Sequence, residues 1–169
     1  PHPHPSLFPQ APRLRTPPIL SVLPAFRTML LPYGNHHHFY GQLLSDARPS
    51  DDGGPPLSVS LLVAPTADAL AAARILTLLL RRDGVQYSLT AVGGWTDLSE
   101  RLAGTSEDGD GDDDGAHRLA VCVGCGATRD LTGLAGTPGG ATRVYVVDGR
   151  RPVHLKNVHA GEEVVVLCE

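Results

Sequence analysis

The run VSLLVAPTADALAAARILTLLLRRDG, residues 59–84, constrains the fold more than any other part of the chain. Residues 58–64 are almost continuously apolar, the pattern of a strand covered on both faces. Pro65 interrupts the strand, apolar residues then recur at helical spacing, and Gly84 closes the helix. A buried strand feeding a helix through a short turn is the unit from which parallel α/β sheets are built. The polar positions Arg74, Thr77 and Arg81 lie three and four residues apart. The predicted helix therefore carries one narrow polar stripe and is otherwise nearly buried against a sheet.

The rest of the chain extends this pattern. Further strands are expected at 86–92, 118–123, 143–147 and 162–168. A short helix is expected at 35–44, with Phe39, Leu43 and Leu44 toward the core. Residues 93–104 read as a turn and short helix capped by Thr96, and 127–134 as a turn or brief helix. The fold class is α/β, a mostly parallel sheet flanked by helices. Residues 1–28 hold eight of the fifteen prolines, three arginines and no acid, and the sole methionine is Met29. That segment reads as a disordered leader or gene-model artefact, with an organelle transit segment as the alternative. Residues 29–169 form the domain, with a linker at 46–56 and an acidic disordered loop at 104–116. The chain stops at Glu169 directly after a predicted strand, which reads as a truncated domain.

Composition limits function. The net charge is −4, but six acids fall within 106–115, and without them the remainder is +2. The folded part thus has no bulk basic signature of a nucleic-acid binder. Thirteen arginines against the single Lys156 fit GC-rich coding, so arginine number carries no weight. Three cysteines without a clear signal peptide indicate a reducing, intracellular compartment. No apolar run reaches the roughly 18 residues that a membrane helix needs.

Most local motifs favour structure over chemistry. Asp110, Asp112, Asp114 and Gly115 match half of a calcium loop, yet its twelfth position is Val121, within a strand. Cys122 and Cys125 form a C-x-x-C with no second pair for zinc, and Cys122 lies in an apolar strand, so core packing is expected. His36, His37 and His38 are adjacent and lack the i, i+4 spacing of a helical metal site. The segments GCGAT and GTPGGAT match neither a dinucleotide nor a triphosphate loop. Position is more informative. Ligands of parallel α/β sheets gather beyond the strands' carboxyl ends, which here carry Thr66, Asp68, Gly124, Cys125, Asp148, Gly149, Arg150 and Arg151. Asp68 also suits the positive end of a helix, and the arginines suit charge balance with Asp148 and Asp68.

These strand ends carry a family likeness. LLVAPTADALAAARIL, VQYSLTAVGGWTDL, VGCGATRDL and VYVVDGRRPVHLKNVHAGEEVVVL follow in order over about residues 35–169. They resemble the N-terminal region of the cell division control protein 45 family, most specifically in GW-x-DL and D-x-x-RPV-x-x-x-NV. That family in turn resembles the DHH phosphoesterases, RecJ nucleases among them, whose Asp and His side chains bind two catalytic metal ions. Against the metal motifs of active relatives, Thr66 and Asp68 stand for D-x-D, and Gly124 stands for the aspartate before Cys-Gly. Asp148, Gly149 and Arg150 stand for Asp-His-His. Two surviving carboxylates beside a guanidinium do not hold two cations.

The resemblance implies a RecJ-like domain without catalysis, cofactor or metal. It further implies a nuclear factor of DNA replication initiation, associated with chromatin and origins during the cell cycle. Its implied role is scaffold of the replicative helicase complex. The implied partners are the MCM hexamer, the GINS complex, replication-initiation factors and single-stranded DNA, with no membrane. Arg150 and Arg151 are the candidate phosphate contacts. The alternatives are an active metal-dependent DHH phosphoesterase and a small nucleotide-binding α/β module.

Overall fold

The structure, a computed structural model, describes residues 30–32, 36–48, 56–104, 118–135, 141–161 and 163–168. Their apolar runs form β1 (Leu30–Pro32), β2 (Ser58–Val63), β3 (Tyr87–Ala91), β4 (Arg118–Val123), β5 (Ala141–Val147) and β6 (Val164–Cys168). Between them lie α1 (His36–Ala47), α2 (Ala67–Arg82), α3 (Trp95–Ala103) and α4 (Leu155–His159). The strands join one sheet in the order β1-β6-β5-β4-β2-β3, and every described pairing is parallel. Parallel neighbours require crossovers, which explains why helices or long turns separate the strands.

Register divides the side chains between two layers. Val59, Leu61 and Val63 of β2 align with Leu119, Val121 and Val123 of β4, and these with Arg143, Tyr145 and Val147 of β5. Helices α1 and α2 cover this face. Phe39 meets Tyr145 edge-on, with ring centroids 5.3 Å apart. The Asp46 carboxylate accepts hydrogen bonds from both Arg143 and the Tyr145 hydroxyl, which pins α1 to the sheet. Burial and the Asp46 carboxylate push the Tyr145 phenol far above its ordinary range, so it remains a donor. Tyr40 donates to Asp83 at 2.7 Å and ties α1 to the end of α2.

The opposite face presents Leu62, Cys122, Val146 and Val166 beneath α3, the segment 124–135 and α4. Leu98 and Leu102 of α3 are buried, as are Ala127, Leu131 and Ala135 of that segment. Connections leaving β2 and β4 thus go to opposite faces and opposite edges. A crevice opens at the carboxyl ends of such a strand pair, the topological switch point.

Expectations for three helices and one strand change in the structure. Helix α2 is not nearly buried: Leu70, Ile75 and Leu78 are 57%, 60% and 51% exposed. Thr77, expected on the polar stripe, is buried and donates to the Arg74 carbonyl at 2.9 Å. The buried line is Ala69, Ala73, Leu76 and Leu80, whose small residues bring α2 close to β2. Its other side meets no further layer among the described residues. The cap of α3 is Gly94 rather than Thr96, and the Asp97 carboxylate accepts the Gly93 amide at 2.9 Å instead. Edge strand β3 is half exposed, with Leu89 51% exposed, because only β2 pairs with it. In α1, Phe39 and Leu43 are buried as expected, whereas Leu44 is only half-buried and Ala47 completes the contact. Strand β1 and helix α4 are additions, three and five residues long. The calcium-like run 110–115 lies outside the described residues, as does most of the acidic loop, though Gly104 ends α3.

Candidate functional site at the strand ends

Four strand ends build the site. After β2, Thr66 adopts extended backbone angles, φ −120° and ψ 152°, and its hydroxyl accepts the Ala69 amide at 3.3 Å. It is therefore the N-cap of α2, which satisfies one of the helix's orphan donors. Asp68 follows in the exposed first turn.

After β4, Gly124 has φ +66°, and its amide donates to the Val147 carbonyl at 2.8 Å. A Cβ placed there would stand 2.7 Å from the Ala69 Cβ and 3.6 Å from the Thr66 hydroxyl. Both the conformation and the space exclude a side chain. The turn continues with Cys125, whose thiol donates to the Leu62 carbonyl at 3.4 Å, and Cys122 of β4 is buried nearby. Its hydrogen bond to Cys125 and burial push the Cys122 thiol well above its ordinary value. Such a thiol packs as a small hydrophobe.

After β5, the Asp148 side chain is only 2% exposed. One oxygen accepts the Ala127 amide at 3.3 Å; the other accepts the Arg150 amide at 3.0 Å and the Arg150 Nε at 3.2 Å. Its carboxylate thus locks the loop after β4 to the loop after β5. Arg150 remains 58% exposed at its outer end. Arg151 is exposed and donates to the Arg150 carbonyl at 3.4 Å, and Gly149 is exposed.

After β3, Gly93 and Gly94 lead into α3, where Trp95 starts the helix. The Arg129 guanidinium lies 5.9 Å from the Trp95 ring centre, a cation–π arrangement. Thr66, Gly94, Trp95, Cys125, Arg129 and Arg150 together line an open cleft of about 380 Å³. Of the positions expected from sequence, Thr66 and Arg150 reach this cleft, Gly124 packs against the α2 N-terminus, and Asp148 anchors Arg150. Asp68 is outside the lining, and Arg150 pairs with Asp148.

Trp95, Arg129 and Asn157 were not foreseen. Asn157 is fully buried in α4. Its Oδ1 accepts the Leu131 amide at 2.9 Å, while its Nδ2 donates to the Arg129 carbonyl at 2.6 Å and to the Gly126 and Ala127 carbonyls at 3.4 Å. It thereby fixes the backbone that presents Arg129. The available signal was the NV of the D-x-x-RPV-x-x-x-NV segment: an amide amid apolar residues has to find buried partners. Lys156 adds an ion pair to Asp130 at 2.7 Å, and Thr132 donates to the same carboxylate. Lys156 and Thr132 lower the Asp130 pKa to about 2, from an ordinary 3.8. A depressed carboxylate stabilises the fold above its unfolded value and ceases to do so as pH falls through its folded value. Stability should therefore decline between about pH 4 and pH 2, and Asp130→Asn should flatten that limb in denaturant melts.

The sheet, its crossovers and the crevice define a parallel α/β domain with a cleft at its strand ends. The crystal structure of CDC45 from Entamoeba histolytica has this fold, with a TM-score of 0.59 at 22% identity over 83% of this chain and 25% of that one. Residues 59–169 match the CDC45 family model, and the chain belongs to the CDC45 family. It is 33% identical to the human cell division control protein 45 homolog over 111 residues, 66% of this chain and 18% of the relative. The Dictyostelium discoideum homolog is 27% identical over 110 residues, 65% of this chain and 16% of that relative. The chain thus spans under a fifth of the length of these two relatives.

Proposed function

We propose that this chain acts in DNA replication as a non-catalytic domain, a scaffold part of the replicative helicase complex that touches single-stranded DNA. Membership of the CDC45 family supports the replication role. The MCM hexamer, the GINS complex and replication-initiation factors are the partners in this reading, and the nucleus, on chromatin at origins, is its place of action. The observation that carries the absence of catalysis is the state of Asp148. Both its oxygens are engaged by protein donors, and one donor is the guanidinium of Arg150, which stands where active DHH relatives carry a histidine. A cation entering there would have to displace a positive charge and leave buried donors unpaired.

The test is a pair of assays on the purified chain with labelled single-stranded DNA and manganese. Binding without cleavage is the expected result. Manganese-dependent cleavage that disappears in Asp148→Ala would restore the phosphoesterase reading and overturn this one.

A further inference from the structure

We propose that the cleft bounded by Trp95, Arg129 and Arg150 is an anion site for a phosphomonoester carried by a nucleotide, with Trp95 against the base. This deepens, and rests on, the reading of the domain as a contact for single-stranded DNA. A surface that once suited cations would thus have changed sign.

Three features converge on this ligand. First, the lining supplies two guanidinium groups: Arg129, stacked at 5.9 Å from Trp95, and Arg150, whose Nε alone is committed to Asp148. Second, two helices begin at the cleft. In α2 the cap Thr66 belongs to the lining: its hydroxyl oxygen takes the Ala69 amide and its carbonyl the Leu70 amide, which leaves the hydroxyl hydrogen to donate. In α3 the ladder starts with the Leu98 amide on the Gly94 carbonyl, so the amide of the lining residue Trp95 precedes it. Such an amide, at the positive end of the helix dipole, favours anions. Third, Thr66 and Thr128 bring hydroxyls to the same lining, and Trp95 is 37% exposed beside them.

The local carboxylates do not cancel this field. Arg150 offsets the charge of Asp148, whose other oxygen accepts the Ala127 amide, and Arg101 offsets Asp97, so the net positive charge of the lining is that of Arg129, while Arg150 adds the donors of its exposed outer end. Neither carboxylate lines the cleft, and nor does Asp68. The donors exceed what the two free oxygens of a phosphodiester accept. A monoester brings three oxygens and a charge of about −1.5 to −2 at neutral pH. The aromatic ring distinguishes a nucleotide from inorganic phosphate, because bases stack on such rings irrespective of sequence. A cleft of about 380 Å³ holds one nucleotide.

Trp95 is the only tryptophan in the chain, so its fluorescence reports on this cleft alone. The experiment titrates the purified chain with an oligothymidylate bearing a 5′-phosphate, the same strand with a 5′-hydroxyl, and thymidine 5′-monophosphate. A 3′-label gives total strand binding by anisotropy in parallel. The 5′-phosphate strand is expected to change Trp95 emission saturably and to bind at least roughly tenfold more tightly than the 5′-hydroxyl strand. Arg129→Gln and Arg150→Gln should each remove that preference. Arg129→Gln keeps the test valid if loss of Arg150 disturbs folding, since Arg129 makes no contact with Asp148. A response to the mononucleotide as tight as that to the strand supports the site and identifies its source as free nucleotide. Equal binding of both strands, seen by anisotropy without change in Trp95, overturns the site while the single-strand contact stands. Absence of strand binding overturns both.

Discussion

Asn157→Ala is expected to lower the unfolding free energy by about 2–4 kcal/mol, among the largest effects of any single substitution in the described domain. The asparagine sits fully buried between α4 and the segment that follows β4. Truncation leaves the Leu131 amide and the Arg129 carbonyl without their partner in the interior. Burying an unpaired polar group costs about 1–3 kcal/mol each, whereas a net hydrogen bond contributes only about 1 kcal/mol. The penalty of what is left behind therefore outweighs the bonds lost. A urea melt reads the result as a lower midpoint at unchanged slope. Asn157→Asp should not rescue it, because a carboxylate cannot donate to the Arg129 carbonyl and would be charged in the core. An alanine variant within about 0.5 kcal/mol of the parent would refute this network's structural role.

Gly124→Asp is expected to destabilise the domain by about 2–4 kcal/mol. Two costs combine there. A φ of +66° is strained for a residue with a Cβ, although aspartate tolerates it better than most. The greater cost is space, since that Cβ would lie 2.7 Å from the Ala69 Cβ and either α2 or the β4 loop must move. Ala69→Gly in the same chain separates the two costs. The double variant should recover the overpacking part, less roughly 1 kcal/mol for glycine in the first turn of a helix. If Gly124→Asp alone were neutral, the close approach of α2 to this loop would not exist in solution.

The same packing explains which features the sequence revealed. Strands β2 and β4 were legible because they are central and covered on both faces, which leaves continuous apolar runs such as SVSLLV and RLAVCV. Strand β1 was not, since three residues ending in proline carry no period, and it forms only by pairing with β6. The outward face of α2 was misjudged for a related reason. Leucine and isoleucine at 70, 75 and 78 look like core residues in one dimension, but α2 packs on β2 and β4 through its other line, and nothing among the described residues covers this side.

At the candidate site, Thr66, Asp148 and Arg150 followed from the rule that function gathers at strand ends. The Trp95–Arg129 pair did not, because those residues are joined only by the fold. Asp68 illustrates the limit of the rule: it belongs to the right turn yet lies outside the cleft lining. The turn PTADAL thus contributes a cap and a helix start, with Thr66 facing the cleft.

Both Asp148 oxygens are engaged by protein donors, and under the proposed reading no cation binds there. Calorimetric titration of manganese into the purified, full chain tests it most directly. No saturable binding is expected at millimolar manganese. Binding of one or two ions per chain at micromolar concentrations, lost in Asp148→Asn, would contradict it.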